Sequence, residues 1–106
     1  MEKSKVAVLK TRPETVLDDI NRLMKMADYE KHLPKDKDTI LKINISWHYY
    51  YPACSTTPWQ LDGVTKTLRE SGYKNLIPAQ NRTVVVDPKA GAKNNHLESV
   101  INKHGL

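Results

Sequence analysis

Hydrophobic and polar positions along the chain change period several times, and each change marks an element. Lys5 to Lys10 encloses the unbroken apolar run Val6-Ala7-Val8-Leu9, which predicts a strand buried on both faces rather than an alternating one. Thr11-Arg12-Pro13-Glu14 stops it. Thr11 and Glu14 have capping-box spacing, and Pro13 suits a first helical turn, where its missing N–H needs no partner. Val16, Leu17, Ile20, Leu23, Met24 and Ala27 then recur at helical spacing, with Asp18, Asp19, Arg22 and Lys25 mostly elsewhere, so an amphipathic helix is predicted from about Pro13 to Tyr29. Leu33-Pro34 and the charged run Lys35-Asp36-Lys37-Asp38 read as a connector. Thr39 to Ile45 is the second predicted strand, rich in β-branched residues and interrupted by Lys42 and Asn44.

From Ser46 to Ser55 the chain has neither helical nor strand period and reads as a long aromatic loop. A helix follows, with Thr57 as N-cap, Pro58 at its first position and Gln60 at its third, the capping-box pattern. Leu61, Val64, Thr65 and Leu68 form its apolar stripe, and Gly72 is a left-handed stop. Lys74 to Ala79 predicts a third strand cut short by Pro78, which cannot donate to a ladder. Thr83 to Val86 is a further β-prone run ended by Asp87-Pro88, and Asn95 to His104 predicts a short terminal helix with Leu97, Val100 and Ile101 on one face. Strands joined by helical crossovers of this length pair in parallel with right-handed connections. The expected fold is therefore α/β, a Rossmann-like, doubly wound three-layer half-domain with a mostly parallel sheet.

Composition narrows the class. At 106 residues and 12.1 kDa the chain holds one core, so it is expected to be a single α/β domain or the N-terminal fragment of a larger one. The formal charge of +5 invites nucleic acid, but its distribution weakens that reading: residues 1 to 42 carry +2, residues 43 to 73 carry 0 and residues 74 to 106 carry +3, with no isolated basic block. A nucleic-acid partner is thus not the expectation. A single cysteine, Cys54, excludes an intrachain disulfide and any self-contained cysteine-ligated zinc or iron–sulfur site. Val6 to Leu9 is too short for a signal-peptide core and no long apolar run follows, so a cytoplasmic protein with no membrane association is expected.

In open parallel sheets, ligands bind beyond the carboxyl ends of the strands. That rule gathers Lys10 to Arg12, Asn44 to His48, Ser55 to Thr57 and Gln80 to Arg82 on one edge. The candidate ligand-binding residues are Lys42, Asn44, Ser55, Thr56, Thr57, Asn81 and Arg82. Ser55, Thr56 and Thr57 open a helix whose N–H groups suit a phosphate or carboxylate, although simple capping by Thr57 explains the same residues. Lys42 either points to the sheet end or snorkels from the edge, and Asn44 either orients a ligand or ties down the following loop. Trp47, His48, Tyr49, Tyr50, Tyr51 and Trp59 form an aromatic group suited to stacking a planar ligand, or to burial against neighbouring elements or a partner subunit. His48 and Cys54 make at best an incomplete metal site, so no metal is assigned, and His32, His96 and His104 read as surface residues. No Gly-x-Gly-x-x-Gly or Walker A sequence is present, which removes support for ordinary dinucleotide and P-loop chemistry.

The strand Thr39 to Ile45, the Thr56-Thr57-Pro58 turn, the helix through Leu68 and the segment Glu70-Ser71-Gly72-Tyr73-Lys74-Asn75-Leu76-Ile77 together resemble the N-terminal part of the domain of unknown function 362 family, over about residues 5 to 80. Lys42 and Asn44 match that family's strand-end motif. Ile43 stands where the motif has Pro, Thr56-Thr57-Pro58 lacks the usual intervening acid, and Ser71 replaces Ala. The resemblance implies an α/β domain often several hundred residues long, relative to which this chain is incomplete, and it carries Lys42, Asn44, Thr56 and Thr57 over as site positions. Many family members continue into a segment that ligates iron–sulfur clusters; nothing here matches it, so no cluster is expected from this chain alone and no cofactor is named. The expected function is binding of an anionic or small polar ligand at the strand ends, completed by a homo-oligomer or a partner chain. The alternatives are a subunit of an oxidoreductase-like enzyme and a nucleic-acid-binding module.

Overall fold

The computed structural model describes residues 3–47, 49–51, 53–81 and 87–106. Its elements are α1 (Val16–Met26), α2 (Tyr29–His32), β1 (Thr39–Lys42), α3 (Pro58–Glu70), β2 (Leu76–Ala79), α4 (Pro88–Asn94) and α5 (Leu97–His104). β1 and β2 pair in parallel, Thr39 opposite Leu76 and Lys42 opposite Ala79, with α3 as the crossover between them. The fold is thus α/β. The β-prone run Thr83 to Val86 lies outside the described residues.

The inward face of the sheet carries Thr39, Leu41, Ile43 and Leu76, and the helices pack against it in two clusters. Ile43, Ile45, Leu61, Leu97 and Val100 form one, joining the end of β1 to α3 and α5. Tyr29, Leu68, Tyr73 and Leu76 form the other, joining α2, α3 and β2. Leu41 packs against both and makes the core continuous. α1 packs against α3 over Gly63, where a Cβ would meet Ile20 Cδ1 at 2.6 Å. On the opposite face Ile40 and Ile77 are register partners, 67% and 43% exposed among the described residues.

Several expectations change in the structure. The segment from Lys5 to Lys10 forms no strand, and Val6 and Val8 are each 80% exposed rather than buried on both faces. An apolar run becomes a strand only where an edge accepts it, and this one runs beside α1 instead, with Lys5 Nζ 2.7 Å from Asp28 and Thr11 Oγ1 donating to Asp19 at 2.8 Å. That second bond also removes the Thr11 capping box. α1 begins at Val16 after a turn, with Thr15 as a cap lacking a side-chain bond to the helix backbone. The helix predicted to reach Tyr29 is broken by Asp28, whose φ of 56° starts α2. β1 ends at Lys42, though Ile43 N still donates to Ala79 O at 2.8 Å. Asp87-Pro88 does not merely end a strand: Asp87 accepts from Lys89 N at 2.9 Å and Pro88 opens α4, a helix that sequence periodicity did not reveal. The capping box of α3 and the left-handed stop at Gly72 (φ 90°) form as predicted.

Candidate functional site

The carboxyl end of β1 is built by bonds that close the following loop back onto the strand. Asn44 N donates to Thr56 Oγ1 at 2.9 Å and Thr56 N donates to Asn44 O at 2.7 Å, so the two residues clasp as an extra ladder rung. Asn44 Nδ2 donates to Ser46 Oγ at 3.1 Å, and Ser46 N donates to Ser55 Oγ at 3.2 Å. Thr57 Oγ1 accepts from Gln60 N while Gln60 Oε1 accepts from Thr57 N at 2.9 Å. Each of the three hydroxyls at the start of α3 therefore accepts a backbone N–H. The capping explanation of Thr57 is realised, and Asn44 ties down its loop.

Lys42 stands at the junction of the two strand ends. Its ammonium donates to Ile43 O and to Gln80 Oε1, both at 2.7 Å, and Gln80 Nε2 in turn donates to Ile45 O at 3.1 Å. These side chains extend the β1 to β2 pairing beyond the last backbone rung. Among the described residues Lys42 takes part in no ion pair, so its charge is held by two neutral acceptors at an exposed position. Asn81 is exposed just beyond Gln80. His48 and Arg82 lie outside the described residues.

The aromatic group divides. Trp47, Tyr49, Tyr50 and Tyr51 are exposed on the loop, with the Trp47 and Tyr49 rings 5.8 Å apart and Tyr50 edge-on to His96 at 4.8 Å. Buried Asn95 fastens this loop to the α4 to α5 junction, donating from Nδ2 to Trp47 O and Gly91 O, each at 2.9 Å. Trp59 instead lines a groove between the starts of α1 and α3, where two adjoining hollows of about 490 and 500 Å³ share Pro13, Val16 and Trp59. Arg12 and Thr11 border the second hollow, Asp62 and Lys66 the first. Neither Pro13 nor Val16 stood out as a candidate in the sequence, because both serve equally as parts of a helix start.

His104, read from sequence as a surface residue, is largely buried: its Nε2 lies 2.6 Å from Asp62 Oδ1, and Lys103 Nζ lies 3.0 Å from Asp62 Oδ2. Burial pulls the Asp62 carboxyl upward, but the hydrogen bonds from His104 and Lys103 and their charges outweigh it and hold it below its ordinary range. Asp19 is likewise held low, by the hydroxyls of Thr15 and then Thr11. Both carboxylates fasten chain segments together. Among the described residues no three His, Cys, Asp or Glu side chains gather as a metal site, and no helix is long and apolar enough to cross a membrane. Comparison with protein families, with curated proteins and with solved structures returns no match.

Proposed function

We propose that this chain is a small α/β binding domain that receives an anionic or small polar ligand at the carboxyl ends of its parallel strands. The observation that carries the reading is the Lys42 ammonium, exposed at the strand ends and, among the described residues, bonded to the neutral oxygens of Ile43 and Gln80 with no carboxylate beside it. An ammonium offers three donors, and a charge unpaired with a carboxylate keeps its attraction for an incoming anion. Asn44, Gln80 and the Thr56 clasp give that charge a rigid polar surround. The reading carries with it a Rossmann-like, three-layer arrangement in which a further layer covers the face of Ile40 and Ile77, which are exposed among the described residues, since parallel sheets are ordinarily covered on both sides. Thermal shift across inorganic phosphate, nucleotides and small carboxylates tests it, with Lys42→Ala as the control. Stabilisation by at least one of these anions that disappears in Lys42→Ala is expected; equal shifts in parent and variant remove the site assignment.

The exposed tyrosines support one second reading, stacking of single-stranded nucleic acid on Tyr49, Tyr50 and Tyr51. Retention of an oligonucleotide that weakens steeply with salt and is lost in Tyr49→Ala/Tyr51→Ala supports it; salt-independent retention does not.

A further inference from the structure

We propose that the hollow beside Trp59 binds a small apolar monocarboxylate, its body against Pro13, Val16 and Trp59 and its carboxylate on the Arg12 guanidinium. The inference is independent of the Lys42 reading. Among the described residues this hollow of about 500 Å³ is lined by Thr11, Arg12, Pro13, Val16 and Trp59. That is the size of a small-molecule site, which ordinarily spans about 300 to 1,000 Å³ and combines apolar walls with a few polar groups. The walls are rigid. Pro13 has a locked φ, and Trp59 stands on the first turn of α3 directly after Pro58. Trp59 is 41% exposed and makes no ring contact with another aromatic among the described residues. Neither the capping box, met by Thr57 and Gln60, nor the core, which α3 supplies through Leu61 and Leu68, uses it. An indole so placed offers a flat apolar surface to a ligand.

Charge selects the ligand. The backbone of Arg12 is fixed: its O accepts from Thr15 N at 3.1 Å, and its backbone also bonds the Asp19 carboxylate. Its guanidinium, by contrast, takes part in no hydrogen bond, ion pair or ring stacking among the described residues. No carboxylate lines this hollow, so among the described residues Arg12 is its one charge. A guanidinium receives a carboxylate through two parallel bonds. The adjoining hollow of about 490 Å³ differs, since Glu14, Asp18 and Asp62 border it together with Lys66. Lys103 and His104 already hold Asp62, and Lys66 lies 3.9 Å from Glu70, which leaves Glu14 and Asp18 unpaired among the described residues. Those two carboxylates repel a second negative group at the far end of a ligand, so a monocarboxylate is accepted and a dicarboxylate rejected.

Titration of the whole chain with naphthoate at constant ionic strength, up to about 10 mM and read from indole N–H and amide chemical shifts, tests the proposal against neutral naphthamide and against naphthalenedicarboxylate. Saturable shifts at the Trp59 indole and the Val16 amide are expected with naphthoate, and binding of the amide and of the dicarboxylate weaker by roughly 10-fold or more. Arg12→Ala is expected to bring naphthoate down to the level of naphthamide while leaving naphthamide unchanged, and Trp59→Ala to abolish saturation with both. Both side chains lie outside the core clusters, so both variants are expected to fold. Lys42→Ala is expected to bind naphthoate as the parent does, which separates this site from the strand ends. Equal affinity for naphthoate and naphthamide in the unaltered chain overturns the proposal, as does the absence of saturation. So does tighter binding of naphthylmethylammonium, which would mean that Glu14 and Asp18 rule the groove, or naphthoate binding that is lost in Lys42→Ala and kept in Arg12→Ala.

Discussion

Replacing Gly63 by alanine sets two opposing effects against each other. In an exposed helix the change would stabilise by about 1 kcal/mol, because glycine loses the most backbone freedom on folding. Here the new methyl would sit 2.6 Å from Ile20 Cδ1, 3.0 Å from Ile20 Cβ and 3.2 Å from Ile20 Cγ2. Comfortable carbon contacts lie at about 3.5 to 4.0 Å. The Cδ1 clash can be relieved by a rotamer change, but Cβ is fixed to the backbone of α1, so the two helices must separate by several tenths of an ångström. Overpacking of this kind costs about 1 to 3 kcal/mol. The net expectation is destabilisation of about 1 kcal/mol, which for a slope near 2 kcal/mol per molar lowers the urea midpoint by roughly 0.5 M. The cycle with Ile20→Ala isolates the contact: in that background the same alanine loses two of its three clashes and becomes neutral or stabilising, a coupling of about 1 to 3 kcal/mol. Urea unfolding followed by circular dichroism reads all four proteins. Stabilisation by Gly63→Ala in the parent, with no coupling to Ile20, would refute the packing of α1 on α3 and with it the groove beside Trp59.

Three further outcomes check the framework around the site. Thr57→Ala removes the side-chain half of the α3 capping box and is expected to cost about 1 kcal/mol in urea unfolding, with Thr57→Ser largely retaining it. Asn95→Ala deletes two buried bonds, one of which holds Trp47 O, and is expected to cost about 1 to 3 kcal/mol while making tryptophan emission more solvent-exposed. Asp62→Asn weakens the attachment of α5 to α3 by about 1.5 to 3 kcal/mol at neutral pH, read from thermal or urea unfolding. Because the folded Asp62 carboxyl is held below its ordinary value of 3.8, its contribution is fully present above that value and is lost as pH falls through the lower folded value. The parent should therefore converge on Asp62→Asn in stability in strong acid, and a constant gap between them from neutral to strongly acidic pH would contradict that assignment.

The parts of the fold legible in the sequence are those fixed by local chemistry. Thr57, Pro58 and Gln60 mark the start of α3 because capping is decided within four residues, and Gly72 marks its end because a φ of 90° suits glycine. Strand formation is a different matter. Val6 to Leu9 has the composition of a strand, but pairing depends on an edge supplied from elsewhere, and composition cannot say whether that edge is reached. Asp87-Pro88 was ambiguous for a simpler reason: aspartate and proline both end a strand and open a helix, and only the bond from Lys89 N selects the second. At the strand ends, Lys42, Asn44 and Thr56 could be placed together from topology alone. Their individual bonds could not, since the Lys42 to Gln80 contact spans 38 positions and follows from register. The burial of His104 is not legible in the sequence, because a terminal helix rich in polar residues gives no sign that one of them meets Asp62, 42 positions earlier.

If the charge of Lys42 makes the strand ends an anion site, a bound anion must report at those residues first. Amide chemical shifts followed during titration with inorganic phosphate, at constant ionic strength, test it residue by residue. Saturable shifts centred on Lys42 to Asn44, Thr56 and Gln80 are expected in the parent, with affinity weaker by roughly 10- to 100-fold in Lys42→Ala, the value of one hydrogen bond to a charged group. Shifts spread over the surface lysines without saturation, or saturation unchanged in Lys42→Ala, would contradict it.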